Sequence, residues 1–426
     1  MAYRNHFLQG GLLAFAVSGF ALPVVSQTVP VTDALLEQPA DGDWLMWRRT
    51  LNSWGFSPLA QIDRTNVKDM QLAWSLPLNK GSVQEGTPLV HDGKLYMPHP
   101  GDVITAHDAA TGNELWRFSR QMPEDLGDYI PATETERALA LYGDTIIYTS
   151  NDDYLIGIDA NTGAEKWATL ILDYRTHPAQ QSSGAVVING KAISGRGCMP
   201  AAGPDACVIT AHDAATGKEL WRLNTIQKPG EGEDTWGGLP WESRWHVGAW
   251  MMPSYDPELD LIYMGTSVTA PAPKFLLAGN DNKYLYHNST LAIDPDDGHI
   301  VWYYQHLVDH WDLDHPFERL LVDTAVAPDA AEVAWISPDI EQGKTYKVLT
   351  GIPGKTGVVY TLDRETGKFL WARPTVLQNV VASIDGKTGE ATVNPAALFS
   401  AKGDMAEICP ALTGGKNWWA GAYSPQ

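Results

Sequence analysis

The sequence predicts an all-β protein of the β-propeller type, in which a small antiparallel sheet is repeated along the chain. Three observations predict this fold. A nine-residue motif occurs five times, Trp accounts for 17 of the 426 residues, and turn signals recur between the copies. The copies start about 50 to 80 residues apart, which suits one propeller blade with insertions. A generic β-sandwich is the alternative, although sandwiches rarely repeat a sequence signature.

Each copy of this repeat motif has Gly four positions and Trp eight positions after an Asp. The Asp side chain can bond its own turn and the Gly can adopt positive φ, so each motif predicts a hairpin with a Gly bulge. One hairpin cannot bury its Trp alone, and we therefore expect neighbouring copies to stack. The copies span residues 108–116, 159–167, 213–221, 294–302 and 363–371. Shorter phrases predict the turns between the other strands, at residues 89–94, 141–144 and 187–191.

The charge balance narrows the classes of partner. The formal net charge is −21, which argues against a nucleic-acid partner because such proteins normally carry a basic patch. It also argues against docking on an anionic membrane, and it is compatible with a basic protein partner. Beyond the N-terminal segment, no stretch is long and apolar enough to predict a membrane span.

Residues 1–26 are predicted to be a signal peptide. Arg4 and His6 precede an apolar run over residues 11–25, and small residues precede a cleavage point near Gln27. A membrane anchor is the alternative, but the run is short and is interrupted by Gly and Pro. Residues 27–426 are then one propeller domain, exported to an oxidising compartment.

The three Cys residues are an odd number. Cys198 and Cys207 flank a loop rich in Pro and Gly, which makes a short disulfide bridge feasible in an oxidising compartment. Cys409 then remains, either as a free thiol or as a residue whose partner lies beyond residue 426.

Together with their flanks, the repeats resemble the quinoprotein alcohol dehydrogenase family, from about Trp44 to the last residue. The resemblance includes the opening Trp54-Gly-Phe-Ser-Pro-Leu59 and the ending Gly414-Gly-Lys-Asn-Trp418. It implies an eight-bladed propeller of four-stranded blades with pyrroloquinoline quinone (PQQ) on its axis. The sequence accommodates about five to six blades, so we expect the C-terminal blades to be missing. The family also pairs the Cys of an Ile-Cys-Pro segment with a downstream Cys, which would account for Cys409.

Asp312 is the predicted catalytic base. It lies in His310-Trp-Asp-Leu-Asp-His-Pro316, which resembles the family segment whose first Asp is the base. A carboxylate there would take the alcohol proton while hydride leaves the carbinol carbon for the quinone. The alternative is an Asp that caps a turn. The resemblance makes Asp312 and Asp314 the metal ligands, and it does not choose between Ca²⁺ and a lanthanide.

Lys355 lies in Gly351-Ile-Pro-Gly-Lys-Thr-Gly357, where the family has Arg or Lys against the quinone oxygens. A cation there would stabilise the negative charge that develops as hydride arrives. The segment also imitates a phosphate-binding P-loop, but Leu349 replaces the first Gly and a strand follows instead of a helix. The alternative is a solvated turn Lys.

Five further positions match residues that bind the cofactor in this family. Trp250 would form a flat floor beneath the quinone, although core packing is the alternative for a Trp in this chain. The remaining matches are Glu85, Arg137 and Asn417, with Ser182 in place of a Thr.

The sequence departs from the family at three places. An adjacent Cys pair would fall at Pro131-Ala132, the metal-binding Glu near Met199 or Pro200, and the metal-binding Asn near Val268. Because a hard cation needs several oxygen ligands, the metal site is either rebuilt from loop carbonyls and Asp205 or weakened.

The resemblance implies a periplasmic oxidoreductase that oxidises an alcohol to an aldehyde or ketone with PQQ and passes the electrons to a cytochrome c. No Cys-x-x-Cys-His haem motif occurs in the sequence, so the acceptor would be a separate protein or lie beyond residue 426. A sugar or polyol dehydrogenase with the same cofactor is one alternative. The other is a non-enzymatic propeller scaffold of the outer-membrane assembly type, which shares the repeat motif but needs none of the site segments.

Overall fold

The structure, a computed structural model, describes residues 27–78, 84–130, 136–308 and 310–426. Within these ranges five antiparallel meanders follow one another along the chain, and each is one blade. Blade 1 contains β1 (Leu89–His91), β2 (Lys94–His99), β3 (Val103–Asp108) and β4 (Glu114–Ser119). Blade 2 contains β5 (Ala140–Tyr142), β6 (Thr145–Thr149), β7 (Tyr154–Asp159) and β8 (Glu165–Leu170).

The third and fourth blades follow the same plan with longer loops. Before blade 3, β9 (Ala179–Gln180) begins a two-stranded sheet that β12 (Gly197–Cys198) completes. Blade 3 contains β10 (Val186–Ile188), β11 (Lys191–Ser194), β13 (Val208–Asp213) and β14 (Glu219–Asn224). Blade 4 contains β15 (Ser254–Asp256), β16 (Leu261–Gly265), β17 (Ser289–Ile293) and β18 (Ile300–Gln305).

Blade 5 gains an extra edge strand, and a separate hairpin follows it. The blade contains β19 (Leu320–Ala325), β21 (Thr345–Gly351), β22 (Val358–Asp363) and β23 (Phe369–Pro374), with β20 (Trp335–Ile336) paired to β23. The hairpin is formed by β24 (Val381–Ile384) and β25 (Ala391–Val393). The α-helices are α1 (Asp33–Glu37) and α2 (Leu126–Tyr129). Single 3₁₀ turns span Val67–Asp69, Pro200–Ala202, Pro204–Ala206, Trp241–Ser243, Lys274–Leu276 and Pro395–Ala397.

The repeat motif forms the hairpin between the last two strands of every blade. In the first copy, Asp108 ends β3 and its Oδ1 accepts hydrogen bonds from the N–H and hydroxyl of Thr111, both at 2.8 Å. Gly112 has φ +74°, in the left-handed region. Each of the five ladders shifts register just before the turn, which is the predicted bulge. The prediction of an all-β propeller with four-stranded blades is confirmed.

The motif Trp residues of blades 1 to 4 each pack on the Gly of the next motif, and this contact joins successive blades. A Cβ placed on Gly163 would lie 2.7 Å from the Trp116 ring, and one on Gly217 would lie 2.4 Å from the Trp167 ring. The Trp116 indole N–H also donates to the Ala160 carbonyl at 3.0 Å. The same packing joins Trp74 to Gly112, Trp221 to Gly298 and Trp302 to Gly367.

The N-terminal segment, residues 28–54, contacts all five blades. Its backbone pairs with blade 1 at Val90 and with blade 2 at Gly143. The carboxylate of Asp33 accepts the N–H of Gly190 in blade 3 at 3.0 Å. The carbonyl of Leu51 in this segment accepts the N–H of Tyr255 in blade 4. The carbonyl of Asn52 accepts the N–H of Leu321 in blade 5. This segment therefore holds blades that are far apart in sequence.

The hairpin of β24 and β25 contains a sixth copy of the motif, which the sequence analysis missed because it lacks the Trp. Asp385 accepts the N–H of Thr388 at 2.8 Å, and Gly389 has φ +75°. A Cβ on Gly389 would lie 2.6 Å from the ring of Tyr304, so this Gly packs on a Tyr of blade 4 instead of on Trp371, the motif Trp of blade 5. The Asp-x-x-Thr-Gly spacing is the only part of the motif in the sequence that indicates this sixth hairpin.

Two sequence predictions concern residues outside the described ranges. These are the signal peptide, residues 1–26, and the position of the absent Cys pair at Pro131-Ala132. Within the described ranges, no helix combines the length and apolarity needed to cross a bilayer.

A buried acidic cluster lies between blades 1 and 2. Asn151 donates to Asp102 from its backbone at 3.0 Å and from its side chain. Burial raises the pKa of Asp102 to about 6. Burial also raises the pKa of Glu136 well above its ordinary value, and the nearby Asp102 carboxylate raises it further. Among the described residues, neither oxygen of Glu136 has a well-aligned hydrogen-bond partner.

We expect Gly217→Ala to destabilise the protein by about 3 kcal/mol, because the added methyl group meets the Trp167 ring as well as a left-handed backbone. Gly93→Ala is the matched control, since Gly93 has φ +73° and open space around it. It should cost only about 1 kcal/mol. Urea unfolding followed by Trp fluorescence measures both values, and equal losses would contradict the Trp-on-Gly contact.

We expect the contribution of Glu136 to the stability of the protein to fall as the pH rises above about 4.5, its ordinary pKa. The folded state binds this proton more tightly than the unfolded state, so the stabilisation is complete below that pH and declines towards the raised pKa. Glu136→Gln, which mimics the protonated form, should raise the unfolding midpoint at pH 8 and change it little at pH 5. The exposed Glu165→Gln is the control, and a parallel shift at both pH values would contradict this assignment.

Candidate active site

The segments that lead into the first strands of blades 2 to 5 converge on one cavity of about 270 Å³. Arg137 precedes β5, Ser182 precedes β10, and Trp250 precedes β15. Asp312 and Asp314 precede β19. All five line this cavity, so the structure brings together most of the site residues that the sequence predicts.

The cavity lining includes an aromatic ring, Trp250, and a cation, Arg137, that lie close together. The guanidinium carbon of Arg137 lies 5.2 Å from the ring centre of Trp250 and 5.5 Å from that of Trp418. Trp250 is braced from the side by Phe317, whose ring centre is 5.5 Å away in an edge-on arrangement. This arrangement offers a flat surface and a planar cation to an acidic aromatic ligand.

Arg137 is held in place by two predicted site residues. Its Nε lies 2.7 Å from Oε2 of Glu85, and both side chains are buried. Its Nη1 donates to the Ser182 carbonyl at 3.0 Å and to the Ser182 hydroxyl. Burial lowers the pKa of Arg137, which Glu85 opposes, and burial raises the pKa of Glu85. Glu85 therefore orients the cation from outside the cavity lining.

Lys355 joins the two predicted acidic residues. Its Nζ donates to Oδ2 of Asp314 at 2.9 Å, to Oδ2 of Asp312 at 3.2 Å and to the Asp312 carbonyl at 3.0 Å. The Lys355 side chain is 9% exposed, whereas that of Asp312 is 51% exposed. Asp312 has φ +62°, a strained conformation for a residue other than Gly. The fold thus presents the Asp312 carboxylate to solvent while it buries the cation.

The pKa values of Asp312 and Lys355 are both raised above their ordinary values. Burial raises the pKa of Asp312 and Asp314 adds to the rise, whereas Lys355 opposes it. Burial lowers the pKa of Lys355, but Asp314 and Asp312 more than offset this and raise it. Lys355 is therefore a fixed positive charge beside the carboxylate that would accept a proton.

Three of the predicted residues, Glu85, Lys355 and Asn417, do not line the cavity. Glu85 and Lys355 pair with residues that do, whereas Asn417 is bonded within its own segment. Its amide group donates to the Thr413 carbonyl at 3.1 Å and accepts the N–H of Trp418. Asp205 also lies elsewhere, with its carboxylate 3.3 Å from the indole nitrogen of Trp241.

The predicted disulfide bridge between Cys198 and Cys207 is present. It closes the loop that carries Met199, and Cys409 is free.

Several residues that line the cavity were not predicted from the sequence as site residues. His246 is the most notable of them, because its only signal is a position four residues before Trp250. The others are Gln180, Gly197, Met199 and Ser267. At the position of the family's metal-binding Asn, Val268 contributes its backbone N–H, which donates to Oδ1 of Asp314 at 3.2 Å.

The residues present fit PQQ, a flat ring system that carries carboxylate and carbonyl oxygens. Trp250 supplies the floor, and Arg137 and Lys355 supply cations for its oxygens. A metal ion would be held by Asp312 and Asp314, together with oxygen atoms of the cofactor.

Comparison with known proteins gives one consistent family. Residues 44–393 match the family described as "PQQ: Glucose/ethanol/alcohol dehydrogenase, beta-propeller domain". The quinohemoprotein alcohol dehydrogenase ADH IIB of Pseudomonas putida is 31% identical over 427 residues, which cover 95% of this chain and 58% of that protein. The dehydrogenase subunit of the quinone-dependent alcohol dehydrogenase of Gluconobacter oxydans (strain 621H) is 31% identical over 409 residues, which cover 90% of this chain and 51% of that protein. The chain therefore spans about half the length of these curated relatives.

Solved structures agree with this match. The quinohemoprotein alcohol dehydrogenase ADHIIG of Pseudomonas putida HK5 superposes with a TM-score of 0.81 and 29% identity, covering 94% of this chain and 58% of that one. A europium-containing methanol dehydrogenase gives a TM-score of 0.81 and 26% identity, and the superposition covers 92% of this chain and 68% of that one.

We expect Arg137→Lys to weaken PQQ binding about tenfold or more, because the planar guanidinium and its bond to the Ser182 carbonyl are lost while the charge remains. Quenching of Trp fluorescence on titration with PQQ measures the affinity. Arg175→Lys is the matched control, since Arg175 forms an exposed ion pair with Asp125. Unchanged affinity in Arg137→Lys would place the cofactor elsewhere.

Proposed function

Because the chain belongs to the PQQ-dependent glucose, ethanol and alcohol dehydrogenase family through its β-propeller domain, we propose that it oxidises an alcohol to an aldehyde or ketone. The observation that carries this proposal is the group formed by Asp312, Lys355 and Asp314 at the edge of a cavity floored by Trp250.

Asp312 is the base of the proposed reaction. When bound, PQQ supplies the two-electron oxidant that takes the hydride from the carbinol carbon. The half-exposed Asp312 carboxylate takes the hydroxyl proton, so the alcohol loses one proton and one hydride and becomes a carbonyl compound. Oδ2 of Asp312 is engaged by Lys355, which leaves Oδ1 for the substrate hydroxyl.

Lys355 has two roles in this proposal. Its positive charge favours the ionised form of Asp312, which is the form that can accept a proton. The same positive charge would also stabilise the negative charge that develops on an acceptor bound beside it. Asp314 positions Lys355 through the contact of 2.9 Å.

The remaining parts of the proposal concern the metal, the acceptor and the compartment. In this family PQQ acts with Ca²⁺ or a lanthanide, and Asp312 and Asp314 are the proposed ligands. The electrons pass to a cytochrome c, and the net charge of −21 favours a basic partner of this kind. Residues 1–26 direct the chain to the periplasm as a signal peptide.

A polyol or sugar dehydrogenase is the second candidate, because the cavity is more polar than a simple aliphatic alcohol requires. Besides the groups that would serve PQQ, its lining includes His246, Gln180 and Ser267. A site with spare hydrogen-bonding groups favours substrates that carry more than one hydroxyl.

We expect Asp312→Asn to lower kcat about 10³-fold, because the amide cannot accept the alcohol proton. Asn tolerates the left-handed backbone at this position, so the fold should be unchanged. The PQQ affinity should stay within about threefold of that of the wild type. Turnover is measured in the full chain loaded with PQQ and Ca²⁺ or La³⁺, with a dye as electron acceptor. Asp205→Asn is the control.

Two results would contradict the proposal. If Asp312→Asn keeps wild-type turnover, Asp312 is not the base. If the wild-type protein binds PQQ and oxidises no alcohol with either metal, the dehydrogenase function itself is wrong.

A further inference from the structure

His246 lies in the same cavity as Asp312 and Trp250, yet the proposed chemistry gives it no role. Its Nδ1 is 2.6 Å from the carbonyl oxygen of Cys198. A carbonyl only accepts hydrogen bonds, so Nδ1 carries the hydrogen, and in the tautomer with a single ring hydrogen Nε2 is the acceptor. In the part of the chain that the structure describes, Nε2 has no hydrogen-bond partner.

The backbone places this imidazole at a cost in strain. His246 has φ +66°, in the left-handed region that residues other than Gly rarely adopt. Such a conformation persists only where the surroundings fix it. They do so on both sides of His246, because the Trp245 carbonyl accepts the Thr269 hydroxyl at 2.6 Å and the Ala249 N–H donates to the Arg196 carbonyl at 2.9 Å.

The Cys198–Cys207 bridge fixes the other partner of His246. The Cys198 carbonyl belongs to the short strand β12, which pairs with β9, and the disulfide closes the loop that follows. The orientation of the His246 imidazole is therefore set by the Cys198 carbonyl, which has little freedom to move.

The hydrogen-bonding character of Nε2 does not suit the cofactor. The carbonyl and carboxylate oxygens of PQQ are acceptors, and an acceptor nitrogen cannot bond to them. Arg137 and Lys355 already provide the donors that such oxygens need. A hydroxyl group, in contrast, can donate to Nε2.

We propose, on the basis of the proposed function, that His246 selects alcohols that carry a second hydroxyl group. Asp312 takes the proton of the reacting hydroxyl, and Nε2 of His246 accepts a hydrogen bond from the other. An alkyl chain in the same place would bury Nε2 without a partner, and that loss discriminates between substrates of equal size. The substrate class is therefore diols and polyols.

The test compares propane-1,3-diol with butan-1-ol, in which a methyl group replaces the second hydroxyl. In the full chain loaded with PQQ, we expect kcat/KM to favour the diol about tenfold or more. His246→Asn keeps an amide that can reach the Cys198 carbonyl and tolerates the backbone, but it lacks Nε2. In this variant kcat/KM should fall for the diol and not for butan-1-ol, so that the preference is lost. The PQQ affinity should be unchanged.

Two further variants make the result specific. His246→Gln, whose amide reaches further, should restore part of the preference for the diol. His299→Asn is the control, because His299 is exposed and pairs with Asp297 in a repeat-motif turn. If the wild type shows no preference for the diol, or if His246→Asn slows both alcohols equally, the inference is wrong while the proposed function stands.

Saturation-transfer NMR on the PQQ-loaded chain measures diol binding without turnover. If neither alcohol is oxidised, the proposed function fails, and the NMR signal decides the inference separately. Loss of the diol signal in His246→Asn supports the role of His246, and an unchanged signal overturns it.

Discussion

The contact between the Trp ring of one repeat motif and the Gly of the next is the constraint on which the rest of the structure depends. Gly217, for example, must have a left-handed backbone to close its turn and must lack a side chain to admit Trp167. Because each contact joins two successive blades, it fixes how the next blade lies against the one before. The segments that lead into the first strands then converge, and the cavity forms where they meet.

The cavity combines opposite charges that are each compensated within the protein. Arg137 is balanced by Glu85, and Lys355 is balanced by Asp312 and Asp314. A buried charge without a partner is costly, so these pairs allow the fold to keep charges where few water molecules reach. The result is a site that combines two compensated cations with one half-exposed carboxylate, that of Asp312.

The parts of this architecture that depend on local sequence could be predicted. The repeat-motif turns follow from the bonding of Asp and the backbone freedom of Gly, and Asp312 and Lys355 lie in recognisable segments. His246 could not be predicted, because its position depends on a left-handed backbone and on the Cys198 carbonyl, 48 residues away. Asn417 shows the reverse, since its segment is recognisable but its side chain is bonded within its own turn.

The two residues that face the substrate in this account, Asp312 and His246, both have a left-handed backbone, with φ +62° and +66°. Each is held by a neighbour that engages it through a fixed group, Lys355 for Asp312 and the Cys198 carbonyl for His246. Strain of this kind is maintained only by the packing around it. Stability contributed by the Trp-on-Gly contacts and by the disulfide loop therefore maintains the geometry of the site, which links the repeat that builds the fold to the chemistry that it supports.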